Sequence, residues 1–123
     1  MAKKVEDYFL DGYLGFLDNC TTLHVTSAEP ANHAGIAAVS LASVVLTAGA
    51  GNGDYTIANG DTNGRKLTVL QQSSISITAS GTATHVVLTD GTNIWCTTCT
   101  SQVLTSGGTI TVNAFDVEIA DPT

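Results

Sequence analysis

The chain is 123 residues long, with 43% hydrophobic but only 12% charged residues and a formal net charge of −7. That length holds one core and leaves no spare segment for a separate catalytic domain. Four basic residues against eleven acidic ones give no basic stripe for phosphates, which excludes nucleic acid as a partner, and no 18-residue apolar run offers a membrane span.

The low charge is balanced by Thr, Ser, Gly and Asn. β-Branched residues fit a pleated surface, and Gly and Asn supply turns. The composition therefore predicts a mainly β protein. The start, Met-Ala-Lys-Lys-Val-Glu-Asp, lacks the apolar stretch and cleavage site of a signal peptide, so cytoplasmic release is expected. Three cysteines, Cys20, Cys96 and Cys99, are an odd number for a disulfide framework and are expected to be reduced.

Residues 4–19 form the one strong helical segment. Val5, Tyr8, Phe9, Tyr13, Phe16 and Leu17 recur at three- and four-residue spacing, with Glu6, Asp7, Asp11 and Asp18 on the other face. Gly12 and Gly15 each weaken such a helix by about 1 kcal/mol relative to Ala. The aromatic face is therefore expected to pack, either on its own sheet or on a neighbour's surface.

The body, 22–119, reads as seven to nine short strands. Leu23–Thr26 is the first, ended by Ala28-Glu29-Pro30, and residues 31–42 read as a loop or one or two helical turns. Further strands are expected at 43–47, 55–57, 66–70, 74–78, 85–89, 93–100 and 109–119. Asn52-Gly53, Asn59-Gly60, Asn63-Gly64 and Asp90-Gly91 mark tight turns. No repeat or linker divides the chain. The expectation is one domain over 1–123: an antiparallel β-sandwich or barrel with an N-terminal amphipathic helix.

Candidate chemistry is sparse. Cys96-Thr97-Thr98-Cys99 has CxxC spacing, but on a strand the two thiols point to opposite faces and no second ligand pair follows. His24, His33 and His85 have no partner at metal-ligand spacing, and no GxSxG elbow presents a nucleophile. His85 reads as a packed or interface histidine. Asp54, Asn59, Asp61 and Asn63 bring oxygens into a Gly-rich loop without matching an EF-hand. Asp116, Glu118 and Asp121 alternate with Val117 and Ile119 as a solvated strand face. Trp95 reads as core. No catalytic residue, metal or cofactor is assigned.

The order of the segments TTLHVTSAEP, NGDTNGRKLTV, GTATHVVLTDGTN and LTSGGTITVNAFDVEIADP resembles a group of small virion structural proteins of tailed bacteriophages. The resemblance covers most of the chain. It implies a non-enzymatic capsid decoration or cement protein on the outer face of the head, assembled in the host cytoplasm. The implied partners are the major capsid protein and further copies of the chain, with a homotrimer favoured. Tyr8, Phe9, Tyr13 and Phe16, with the loop around Arg65 and Lys66, are the expected interface residues. The competing reading is a tail or fibre module that binds a host glycan or receptor, which calls for an exposed Trp95 or Tyr55.

Overall fold

The computed structural model describes residues 6–120. In chain order these form α1 (Asp7–Leu17), β1 (Thr22–Thr26), a 3₁₀ turn (His33–Gly35) running into α2 (Ile36–Val39), β2 (Ser40–Val45), β3 (Tyr55–Asn59), β4 (Arg65–Val69), β5 (Gln72–Ser76), β6 (Gly81–Thr89), β7 (Ile94–Leu104), β8 (Thr109–Val112) and β9 (Phe115–Ile119). The protein is mainly β, 50% strand and 16% helix, and its sheets are antiparallel. Among the described residues no sheet closes into a barrel. The described residues fall into two compact units, each drawn from separate stretches of chain.

The first unit combines residues 6–19, 47–71 and 113–120. Its sheet has the order β3-β4-β9, with α1 packed on the β4 side. β4 sits centrally because Leu67 and Val69 point inward from alternate positions, and both are fully buried. Tyr55, opposite Val69 in the β3–β4 pairing, is also fully buried. The 60–64 turn closes with a bond from the Gly60 N–H to the Gly64 carbonyl, 2.9 Å. Gly64 has φ +73°, and a Cβ there would collide with the Ile119 carbonyl on β9. Only glycine lets β9 lie so close.

The second unit combines residues 20–46 and 72–112. Its larger sheet has the order β2-β1-β6-β7, and β5 pairs with β8. β1 lies between β2 and β6, and buries Leu23 and Val25 by simple alternation. On β6 the run Val86-Val87-Leu88-Thr89 is wholly buried, which is the pattern of a strand covered on both faces. The β6–β7 turn is built by Asp90: its Oδ1 accepts the backbone N–H groups of Thr92 (2.9 Å) and Asn93 (2.7 Å), while Gly91 takes φ +99°.

Four expectations are corrected. α1 buries Leu10, Leu14 and Leu17, so of the two packings expected for the aromatic face the one on its own sheet does not hold. These leucines stand at i, i+4 and i+7, one stripe of an α-helix, and the aromatics lie beyond its edge. Val5 lies outside the described residues. Trp95 is half-buried on the edge strand β7, and the core aromatic is Tyr55. The single strand expected over 109–119 is two strands in different sheets, because the apolar alternation of Ile110 and Val112 changes phase before Phe115, Val117 and Ile119. β2 begins at Ser40, since Leu41 and Ala42 belong to the core.

Two substitutions test this packing by urea unfolding. Leu14→Ala is expected to cost about 2–5 kcal/mol by leaving a cavity under α1. Gly64→Ala is expected to cost more than ~1 kcal/mol, through both backbone conformation and the clash with β9.

Candidate functional site

The most unusual surface lies on α1. Tyr8, Phe9, Tyr13 and Phe16 are 80%, 67%, 54% and 79% exposed. A helix turns about 100° per residue, so with Leu10, Leu14 and Leu17 inward Tyr8, Phe9 and Phe16 face away from the sheet and Tyr13 borders the buried stripe. Phe9, Tyr13 and Phe16 form one row at i, i+4 and i+7. Gly12 and Gly15 lie in the next row beyond Tyr8, and nothing stands within 4 Å of where their Cβ atoms would be. The Tyr8 and Phe9 rings meet edge to face at 5.4 Å.

A third row, Asp7 and Asp11, runs between the leucines and the glycines. Arg65, the first residue of β4, reaches it: Nε donates to Asp11 Oδ1 at 2.8 Å and a terminal nitrogen to Asp11 Oδ2 at 3.3 Å. Another donates to Asn59 Oδ1 at 2.8 Å and lies 3.9 Å from Asp7. The forked guanidinium thus ties one helix carboxylate in bidentate fashion and stands at ion-pair distance from its i−4 neighbour. At the other end of α1, Asp18 Oδ2 accepts the Ala50 N–H at 3.0 Å, and burial raises the pKa of that carboxyl.

Lys66, the next residue, serves other acids. Its Nζ donates to Asp61 at 2.7 Å and lies 3.7 Å from Asp116, and Thr68 Oγ1 also donates to Asp116, at 2.7 Å. Arg65 and Lys66 therefore stand at the start of a strand rather than in a loop, and both charges are matched within the unit. Glu118 accepts the Asp61 N–H at 2.7 Å. Asp116 and Glu118 thus fasten the 60–64 turn and β4 in addition to meeting solvent; Asp121 lies outside the described residues.

The remaining candidates are dispersed. Cys20 is buried, and Cys96 and Cys99 are half-buried free thiols on β7. Burial raises the Cys96 pKa, helped by Glu29, whose Oε1 accepts from Sγ at 3.7 Å; burial alone raises that of Cys99. Both are held as thiols, the form that neither attacks nor ligates readily. His85 sits between Thr26 and Thr98 on the flanking strands, with Nδ1 2.9 Å from Thr84 Oγ1. His24 Nδ1 lies 2.9 Å from Ser40 Oγ across β1 and β2. Asp54 accepts the Thr47 N–H at 2.6 Å, so this oxygen of the Gly-rich loop already has a use. Among the described residues no three His, Cys, Asp or Glu side chains converge on a metal position. Tyr55, fully buried, offers no sugar platform.

Comparison with known proteins is silent: no protein-family model, curated protein or solved structure matches the chain. The site therefore stands on its own geometry, which is that of a fixed, exposed aromatic surface.

Two predictions follow from the charges. Arg65→Gln leaves Asp7 and Asp11 as neighbouring like charges at i and i+4, and is expected to lower the thermal midpoint more than Lys66→Gln, read by far-UV circular dichroism. Burial, then His33, holds the His24 pKa below its ordinary 6.5. The unfolded chain then binds a proton more readily than the fold, so this contribution is complete above pH 6.5 and is lost as pH falls from there through the lower folded value. Urea midpoints at pH 7.5 and 5 should differ less in His24→Gln than in the wild type.

Proposed function

We propose that this protein is a non-enzymatic structural component of a tailed-phage virion, with a β-sandwich body, that decorates the outer face of the capsid and stabilises the major-capsid-protein lattice. The observation that carries the reading is the aromatic face of α1. Its four rings expose on the order of 600 Å² if each offers about 200 Å² when bare. That is the upper end of what the largest apolar patch on a monomeric protein reaches, and such patches are often binding sites. A chain that works by association fits this surface.

Two further features support the proposal. The order of the four segments from TTLHVTSAEP to the acidic C-terminal stretch resembles small phage virion proteins. The net charge of −7 suits the outside of a head better than its DNA-filled interior. A protein that binds only the assembled lattice stabilises it by mass action, since its binding free energy must be overcome before the shell opens. On this reading the protein acts as a homo-oligomer, the trimer being the form that the resemblance implies.

The test is to sediment decoration-free heads with the purified protein while recording the temperature at which DNA is released. Saturable binding in a ratio commensurate with the lattice, with a raised release temperature, is the expected outcome. Failure to bind heads, together with retention on a glycan surface, would overturn it in favour of a tail or fibre module.

A further inference from the structure

We infer that the aromatic face of α1 is the surface through which copies of this chain join one another, helix against helix. The face is built as a ridge beside a groove. Phe9, Tyr13 and Phe16 make the ridge, 54% to 79% exposed. Gly12 and Gly15 make the groove, with open space where side chains would stand. Helices pack by setting the ridge of one into the groove of the other. A surface that carries both, side by side, lets the ridge of one copy enter the groove of its neighbour.

Four more observations favour a second copy as the occupant. The ridge and groove residues carry no charged side chain, so the contact that they offer is mainly apolar. The carboxylates that flank its groove, Asp11 and Asp7, are already engaged by Arg65 at 2.8 Å and 3.9 Å. One of the two negative charges on that flank is thereby offset, which lowers the repulsion that two copies of a chain of net charge −7 meet along this line. The exposed aromatic area, on the order of 600 Å² per copy, is near the roughly 800 Å² per partner of a standard stable interface. The helix is also held in place beforehand: Leu10, Leu14 and Leu17 are buried beneath it, so little ordering cost is left for association.

This inference identifies the partner of the surface on which the proposed function rests, but it is read from the isolated chain. The experiment is sedimentation velocity of the purified protein across the micromolar range, without heads, with circular dichroism confirming that each variant is folded. The wild type should sediment as a closed oligomer. Phe16→Glu, at an exposed position that the fold does not need, should give monomers. Gly12→Leu is the sharper variant, because it raises helix propensity and adds apolar surface while filling the groove. A fitted contact predicts that Gly12→Leu weakens association at least about tenfold. Tighter association in Gly12→Leu would mean an unspecific sticky face and would overturn the inference, as would a monomeric wild type or an oligomer indifferent to both substitutions. A monomer that still saturates heads would remove this inference and leave the virion reading standing; an oligomer that ignores heads would do the reverse.

Discussion

An eleven-residue helix lying on a sheet can bury one stripe, and α1 buries Leu10, Leu14 and Leu17. Most of what distinguishes this protein depends on that choice. With leucine inside, the acidic row of Asp7 and Asp11 comes to lie beside β4, where Arg65 can reach it, and the four aromatic rings are left exposed. Had the rings gone inward, the sheet would have had to accommodate four large side chains over a surface whose centre is already filled by Leu67, Val69 and Tyr55. Core volume thus determines which face of the helix is left for contact with other molecules.

The same economy governs charge. Arg65 and Lys66 are neighbours on a strand, so their side chains leave on opposite sides. One is held by the helix acids and Asn59, the other by Asp61 and Asp116. These cations organise two sides of one sheet, and the acids in excess of them give the molecule its negative field. Glu118 and Asp116 show that an acidic, alternating strand can be structural on its polar face as well, because the turn it borders needs acceptors for its backbone N–H groups.

Much of the β architecture was legible in the residues. Leu23 and Val25 mark β1 by alternation, the continuous Val86-Val87-Leu88 run marks a strand covered on both sides, and the Asp90-Gly91 turn is where its chemistry demands. The break at Asn113-Ala114 was present too, as a change of phase, but a phase change is easily read through when both halves are rich in β-formers. The helix face was harder. Aromatics and leucines are both apolar, and periodicity counts them alike, so the two stripes merged into one. What separates them is shape, since three leucines at i, i+4 and i+7 fit a flat sheet and three rings beside two glycines do not. Trp95 and Tyr55 both lie on edge strands, β7 and β3, so what separates them is whether the rest of the unit covers that face of the sheet, which no local pattern carries. The acidic partners of Arg65 are 54 and 58 residues away in sequence, beyond any local signal.

The pairing of β9 with β4 has a consequence in time. Arg65 lies opposite Ile119, and Val69 opposite Phe115, so the sheet that supports α1 takes its third strand from 46 to 54 residues further along the chain. During synthesis the helix segment is made before all three strands of its sheet and must wait for them. Until then its leucines and its aromatics are equally unsheltered, and neither side has a fixed orientation. β9 therefore acts as a clock: the aromatic ridge takes its final aspect only once that strand has joined β4, and chains that have not yet formed it are poor participants in any assembly that the ridge directs.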